Sequence, residues 1–257
     1  MVFLYFKSTK LRYFITLAYN GNNYHGWQIQ PNAITVQEIL EDRISKLLGI
    51  NTPITAAGRT DTGVHASKMV VHIDASIPDK ENFIYRLNAF LPTDIAIHSI
   101  EAVRDDAHAR FNALERTYQY FLHYDKNPFI PDVSWHWRYT SLGIKAMNEA
   151  ATYLLQTEDF TSFARLHADN KTNICDVRQA FWKETREGLK FTISADRFLR
   201  NMVRAIVGTL VEVGRGKLNK KEFIEIIHKK DRSFAAASAP AHGLFITNIE
   251  YPDDIYL

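Results

Sequence analysis

The chain is short of cysteine: Cys175 is the one thiol in 257 residues. A lone thiol closes no internal disulfide and builds no cysteine-rich metal site, so a reducing, cytoplasmic setting is expected. Long apolar runs are also lacking. None approaches the ~20 residues a membrane span needs, so no membrane association is expected. The apolar opening at 1–6 is brief, Lys7 and Lys10 follow it, and no small-residue cleavage site comes after. It reads as a ragged terminus rather than a secretion signal. The ten histidines include no HxxxH pair and have no cysteine company, so no metal is expected. Excess charge is missing too. A net charge of +2 neither demands nor excludes a nucleic-acid partner, and any RNA would have to meet a local patch.

What is present is enough to fold. Apolar residues make up 46% and aromatics 12% of the chain, which supports a real core. The length suits two halves of ordinary size, read here as 1–104 and 105–257. In the first, 12–19 reads as a strand ended by Asn20-Gly21, before a loop rich in aromatics and amides, Tyr24-His25-Gly26-Trp27-Gln28. Thr35-Val36-Gln37-Glu38 has capping-box spacing and opens a helix that Gly49 closes. An extended piece at 53–57, a strand at 68–73, a helix at 79–91 stopped by Pro92 and a strand at 95–103 follow. The second half has strands at 116–124, 177–184, 189–195 and 244–251, and helices at 142–156, 198–213 and 220–230. Each half thus runs β-α-β-β-α-β, the second with one extra helix. The predicted class is α+β: two ferredoxin-like halves with antiparallel sheets flanked by helices, and an active-site cleft between them.

The densest polar cluster is Gly58-Arg59-Thr60-Asp61-Thr62-Gly63-Val64-His65. An aspartate in a glycine-framed turn ordinarily just bonds its own backbone. Here Arg59 adds a cation that could pair with a phosphate or hold a base aside, and His65 adds a second polar group between Val64 and Ala66. Asp-Thr-Gly also suggests an aspartic protease. That chemistry needs two carboxylates sharing a proton, and no second Asp-Thr-Gly or Asp-Ser-Gly is present.

Tyr118 and Tyr120 share one face of their strand. The plain reading is an aromatic cross-strand pair; the functional one is a ring that stacks on a base or a phenol placed for proton transfer. Arg197, Arg200 and Arg204 are spaced to share one face of the helix read at 198–213. Arg204 lies among Met202, Val203, Ile206 and Val207, so it needs a carboxylate partner, and Asp61 would serve. Such a pair should hold Asp61 ionised. Basic residues at Lys217, Lys220, Lys221, Lys229, Lys230 and Arg232 read as a solvated face, or as phosphate contacts if they border a cleft.

These motifs resemble the tRNA pseudouridine synthase A family in order and over nearly the whole chain. The matching stretches include Tyr24-His25-Gly26-Trp27-Gln28, the Gly58 to Ala66 loop, His108-Ala109-Arg110-Phe111, Arg116-Thr117-Tyr118, Asn201-Met202-Val203-Arg204 and Ser238-Ala239-Pro240. The resemblance implies isomerisation of uridine to pseudouridine in the anticodon stem-loop of tRNA, without a cofactor, by a homodimer. It implies Asp61 as nucleophile, Tyr118 packed on the base and accepting the C5 proton, and Arg204 in a salt bridge with Asp61. Arg59 would displace the target base, and His65, Arg110 and Gln28 would join it in substrate binding. Thr62 stands where the family usually has alanine, and segment 165–172 is particular to this chain. The competing classes are an RNA-binding protein that has lost the chemistry and a ferredoxin-like metabolite-binding domain. The presence of Asp61, Tyr118 and Arg204 together argues for the enzyme.

Overall fold

The computed structural model describes residues 10–139, 141–165 and 171–257. The expectation for 1–6 and most of segment 165–172 lie outside the described residues.

Strand β1 (Leu11–Tyr19) runs between β4 (Ile95–Val103) and β3 (His65–Ala75), antiparallel to both. A two-residue strand β2 (Thr55–Ala56) pairs with the far part of β3. Helix α1 (Val36–Leu48) begins where Thr35 Oγ1 accepts from the Glu38 N–H at 3.3 Å, and it stops at Gly49 with φ 68°. Helix α2 (Lys80–Phe90) is capped by Asp79, and Pro92 beyond its end prevents continuation.

In the second half, β5 (Glu115–His123) lies between β8 (Gly188–Ala195) and β9 (Leu244–Glu250), antiparallel to both, and β7 (Val177–Glu184) pairs outside β8. A short β6 (Trp135–His136) runs parallel to β5. The helices are α3 (Ile144–Ala151), α4 (Met202–Gly214) and α5 (Lys220–His228), the last opened by a complete capping box from Asn219 and Glu222.

The halves were expected to carry separate sheets. Instead β3 and β9 pair in parallel through His65 with Phe245 and Ala66 with Ile246, and a single nine-stranded sheet results, β4-β1-β3-β9-β5-β8-β7 with β2 and β6 alongside. Two cores persist within it. One gathers α1, α2 and the strands around β1; the other gathers α3, α4, α5 and the strands around β8. Tyr118 packs against both. The expected helix at 142–156 breaks into α3 and a 3-10 turn (Thr152–Gln156). The helix expected from 198 starts only at Met202, because Asn201 takes a left-handed conformation with φ 66°. That late start moves an arginine, as described next.

Candidate active site

The Asp61 loop joins β2 to β3 and is held almost wholly by neutral hydrogen bonds. The Trp27 N–H donates to the Thr60 carbonyl at 3.1 Å, and the Tyr19 hydroxyl shares a buried 2.8 Å bond with Thr60 Oγ1. Val64 N–H donates to the Asp61 carbonyl at 3.1 Å, closing a turn in which Gly63 has φ 75°. The aromatic and amide loop is pressed against this turn. Gly26 has φ 86°, and a Cβ there would stand 2.6 Å from the Thr60 carbonyl oxygen, so only glycine fits. The bonds to Thr60 and to the Asp61 carbonyl fix where its carboxylate emerges. The side chain itself is 27% exposed.

Arg200 Nε stands 3.5 Å from Asp61 Oδ1, and the Arg200 side chain is 59% exposed. This corrects the expected pairing with Arg204. Because α4 begins after Asn201, Arg200 lies in the turn before the helix and reaches Asp61. Arg204 lies in the first turn and donates from Nε to the Ala239 carbonyl at 2.7 Å. The Ala239 N–H answers to the Arg204 carbonyl at 2.9 Å, and the Tyr120 hydroxyl donates to the Pro240 carbonyl at 2.9 Å. Arg204 thus fastens segment 237–240 to α4. Gly208 permits the approach, since a Cβ there would meet the Ala237 carbonyl oxygen at 2.0 Å.

Tyr118 is half-buried on β5, its ring edge-on to Phe198 with centroids 5.0 Å apart. Burial pushes its hydroxyl up to about 12; the Arg116 charge opposes the rise and the nearby Asp61 carboxylate adds to it. The phenol is therefore protonated at neutral pH. Arg59 is exposed and, among the described residues, has no hydrogen bond or ion pair. Gln28 and Arg110 are exposed as well; the Arg110 guanidinium lies 5.8 Å from the Phe111 ring centroid.

His65 is placed differently from expectation. It is fully buried and stacked on Phe245 with centroids 4.5 Å apart. Its Nδ1 accepts from the Gly21 N–H at 3.0 Å, which leaves Nε2 to donate to the His242 carbonyl at 3.1 Å. Burial depresses its pKa. With both nitrogens used inside the protein, His65 is a bracket at the β3 and β9 joint and offers nothing to a substrate.

Arg116 was overlooked as a site residue, although it shares a strand face with Tyr118. It is 9% exposed. Its Nη1 donates to the carbonyls of Ala113 at 3.1 Å and Asp196 at 2.7 Å, and its Nη2 to those of Ala57 at 3.0 Å and Arg110 at 2.5 Å. One guanidinium thereby ties the start of the Asp61 loop to the far end of β8 and to segment 110–113. The signal in the sequence was the two-residue spacing from Tyr118, which puts both side chains on one face. Among the described residues, no three His, Cys, Asp or Glu side chains gather as a metal set.

Residues 15–112 and 150–252 match the family model described as tRNA pseudouridine synthase. The chain is 51% identical to the tRNA pseudouridine synthase A of Bacteroides thetaiotaomicron over 251 residues, covering 95% of this chain and 92% of that protein. It is 40% identical to the protein of the same name from Bacillus subtilis, over 92% of this chain and 97% of that one.

Proposed function

The chain belongs to the tRNA pseudouridine synthase family, and from that premise we propose that it isomerises uridines in the anticodon stem-loop of tRNA with Asp61 as the nucleophile. The observation that carries this reading is the Asp61 carboxylate itself. It emerges from a loop clamped on both sides, next to Tyr118 and beside Arg200.

The reaction breaks the C1′–N1 bond, forms a C1′–C5 bond, and moves one proton from C5 of the base to N1. No electrons are gained or lost overall. Asp61 can start it by attack on C6 of the base, by attack on C1′, or by taking a sugar proton, and each route begins from the ionised carboxylate. A stem uridine must first leave its helix, at a cost of a few kcal/mol. Arg59, without a hydrogen bond or ion pair among the described residues, fills the vacated place. Tyr118 supplies an apolar ring face to the flipped base. Its protonated phenol accepts the C5 proton only as it gives up its own, so one proton leaves C5 and one is delivered through the phenol and solvent to N1. Arg204 contributes by fixing segment 237–240 against α4 behind the reacting groups, and Arg200 balances the charge of Asp61 until RNA arrives. Arg110 and Gln28 meet the RNA at the rim.

The strand order supports a reading as two ferredoxin-like halves, 1–104 and 105–257. With the two-residue β6 set aside, the fourth strand of each half lies beside the first, which lies beside the third. We take the working unit to be a cytoplasmic homodimer, as the family resemblance implies.

The test uses unmodified tRNA transcripts. Pseudouridine is mapped by carbodiimide-dependent primer stops, with tRNA binding measured in parallel. Stops on the 3′ side of the anticodon stem-loop are expected. Binding without any stop would place the chain among RNA-binding proteins that have lost the chemistry, and stops only elsewhere in the tRNA would overturn the anticodon assignment.

A further inference from the structure

We propose that the hollow walled by Arg165, Asn201, Arg232, Ser233 and residues 235–237 is an anion site that receives a phosphodiester of the RNA strand flanking the target nucleotide. The inference rests on the proposed function for the identity of the anion.

The hollow measures about 440 Å³, and among the described residues its wall includes two arginines and no acidic residue. The basic side chains nearby in sequence are mostly neutralised: Lys230 pairs with Asp159 at 2.9 Å, Lys217 with Glu212 at 3.6 Å and Lys221 with Glu225 at 4.0 Å. Among the described residues neither Arg165 nor Arg232 has such a partner. Arg232 is half-buried, and its Nη1 and Nη2 donate to neutral acceptors, the Ala235 carbonyl at 3.1 Å and Ser238 Oγ at 3.0 Å. Those two bonds fix the plane of the guanidinium without cancelling its charge. Burial works against that charge. A part-desolvated cation held rigid and uncompensated is a poor device for stability. It is a good one for a phosphate, which a planar guanidinium can grip through two parallel hydrogen bonds.

The location agrees with the role. The Arg165 N–H donates to the Arg200 carbonyl at 3.1 Å, and Arg200 Nε stands 3.5 Å from Asp61. Asn201 follows Arg200 directly and donates from Nδ2 to Ser238 Oγ at 2.7 Å, the oxygen that also receives Arg232. The hollow therefore lies along the chain segment that carries the counter-cation of Asp61. A strand whose uridine has been turned toward Asp61 carries a phosphate on either side of it, and this hollow offers the charge for one of them.

Steady-state kinetics and tRNA binding at a series of salt concentrations test the proposal with the full chain. Arg165→Ala is the cleanest variant, because the Arg165 side chain makes no hydrogen bond or ion pair among the described residues. It should keep the wild-type melting temperature, raise KM for tRNA several-fold with kcat little changed, and flatten the slope of log affinity against log salt by about 0.9, the loss of one phosphate contact. Arg232→Ala should flatten it equally, Arg232→Lys should restore most of it, and the double alanine variant should lose no more than either single one, since both arginines serve one phosphate. A purely structural role for Arg232 would change stability and leave the salt slope alone. Unchanged KM and slope in both single variants would overturn the site. A wild type that binds tRNA but forms no pseudouridine would contradict the activity instead, and the slopes read from Kd would still decide the site. Inorganic phosphate at constant ionic strength should compete with tRNA in the wild type more than in the double variant. Activation by phosphate would identify a free-phosphate effector and overturn the RNA assignment.

Discussion

The arginines of the candidate site fall into two sets, and they are provided for in opposite ways. Arg116 is buried and spends its guanidinium on four backbone carbonyls from the Asp61 loop, segment 110–113 and the end of β8. Arg59, Arg165 and Arg200 are exposed and nearly free of internal bonds; the 3.5 Å contact of Arg200 with Asp61 is the single ion pair that any of them makes among the described residues. An ion pair of that length between part-exposed groups is worth about 0–1 kcal/mol. The difference teaches that position and charge are supplied separately. Neutral bonds and a buried cation set where Asp61 stands, and the outer cations are left for a polyanion to use.

Substitutions that strike the buried set should be costly in stability, and those that strike the outer set should not. The largest effect is expected for Arg116→Met. Four hydrogen bonds at about 1 kcal/mol each put the loss near 4 kcal/mol, read from the denaturant midpoint at constant m-value. A midpoint within error of wild type would end the idea that Arg116 clamps the loop. Next comes Gly26→Ala. A left-handed residue at φ 86° with a Cβ driven to 2.6 Å from the Thr60 carbonyl oxygen should cost about 1–3 kcal/mol and, because Thr60 precedes Asp61, should lower kcat below the melting transition.

Acid should unfold the protein through its buried histidines, His65 and His72, and the half-buried His242. Burial lowers the pKa of His65 and of His242, and it holds His72 down to about 4. The unfolded chain takes up these protons below about pH 6.5 while the folded one resists, so the stabilisation is complete above that pH and is lost as pH falls toward 4. The melting temperature should drop between pH 7 and pH 5, and His65→Gln should make the drop shallower. A melting temperature that rises on acidification would contradict this sign. The smallest stability effect is expected for Arg59→Ala and Arg200→Ala, within about 0.5 kcal/mol of wild type, although both should slow pseudouridine formation. A large loss of stability in either would erase the distinction between the two sets.

Local signals in the sequence carried much of this. The cap at Thr35, the stops at Gly49 and Pro92 and the glycine-framed Asp61 turn are short-range chemistry, and they place the elements and the loop correctly. What was not legible depended on contacts far apart in the chain. The apolar pattern runs unbroken through Phe198 and Leu199, so the left-handed Asn201 that delays α4 was invisible, and with it the exchange of Arg204 for Arg200 beside Asp61. His65 looks the same in sequence whether it faces solvent or spans Gly21 and His242. The merger of the strands into one sheet rests on two residue pairs between β3 and β9, too short a parallel contact to leave a periodic mark.

The central claim is that Asp61 does the chemistry while other residues hold it in place, and Asp61→Asn tests it most directly. The variant should melt as wild type does and bind tRNA with wild-type Kd, because only the weak contact with Arg200 is altered. It should form no pseudouridine. Pseudouridine made by Asp61→Asn at the wild-type rate would contradict the account.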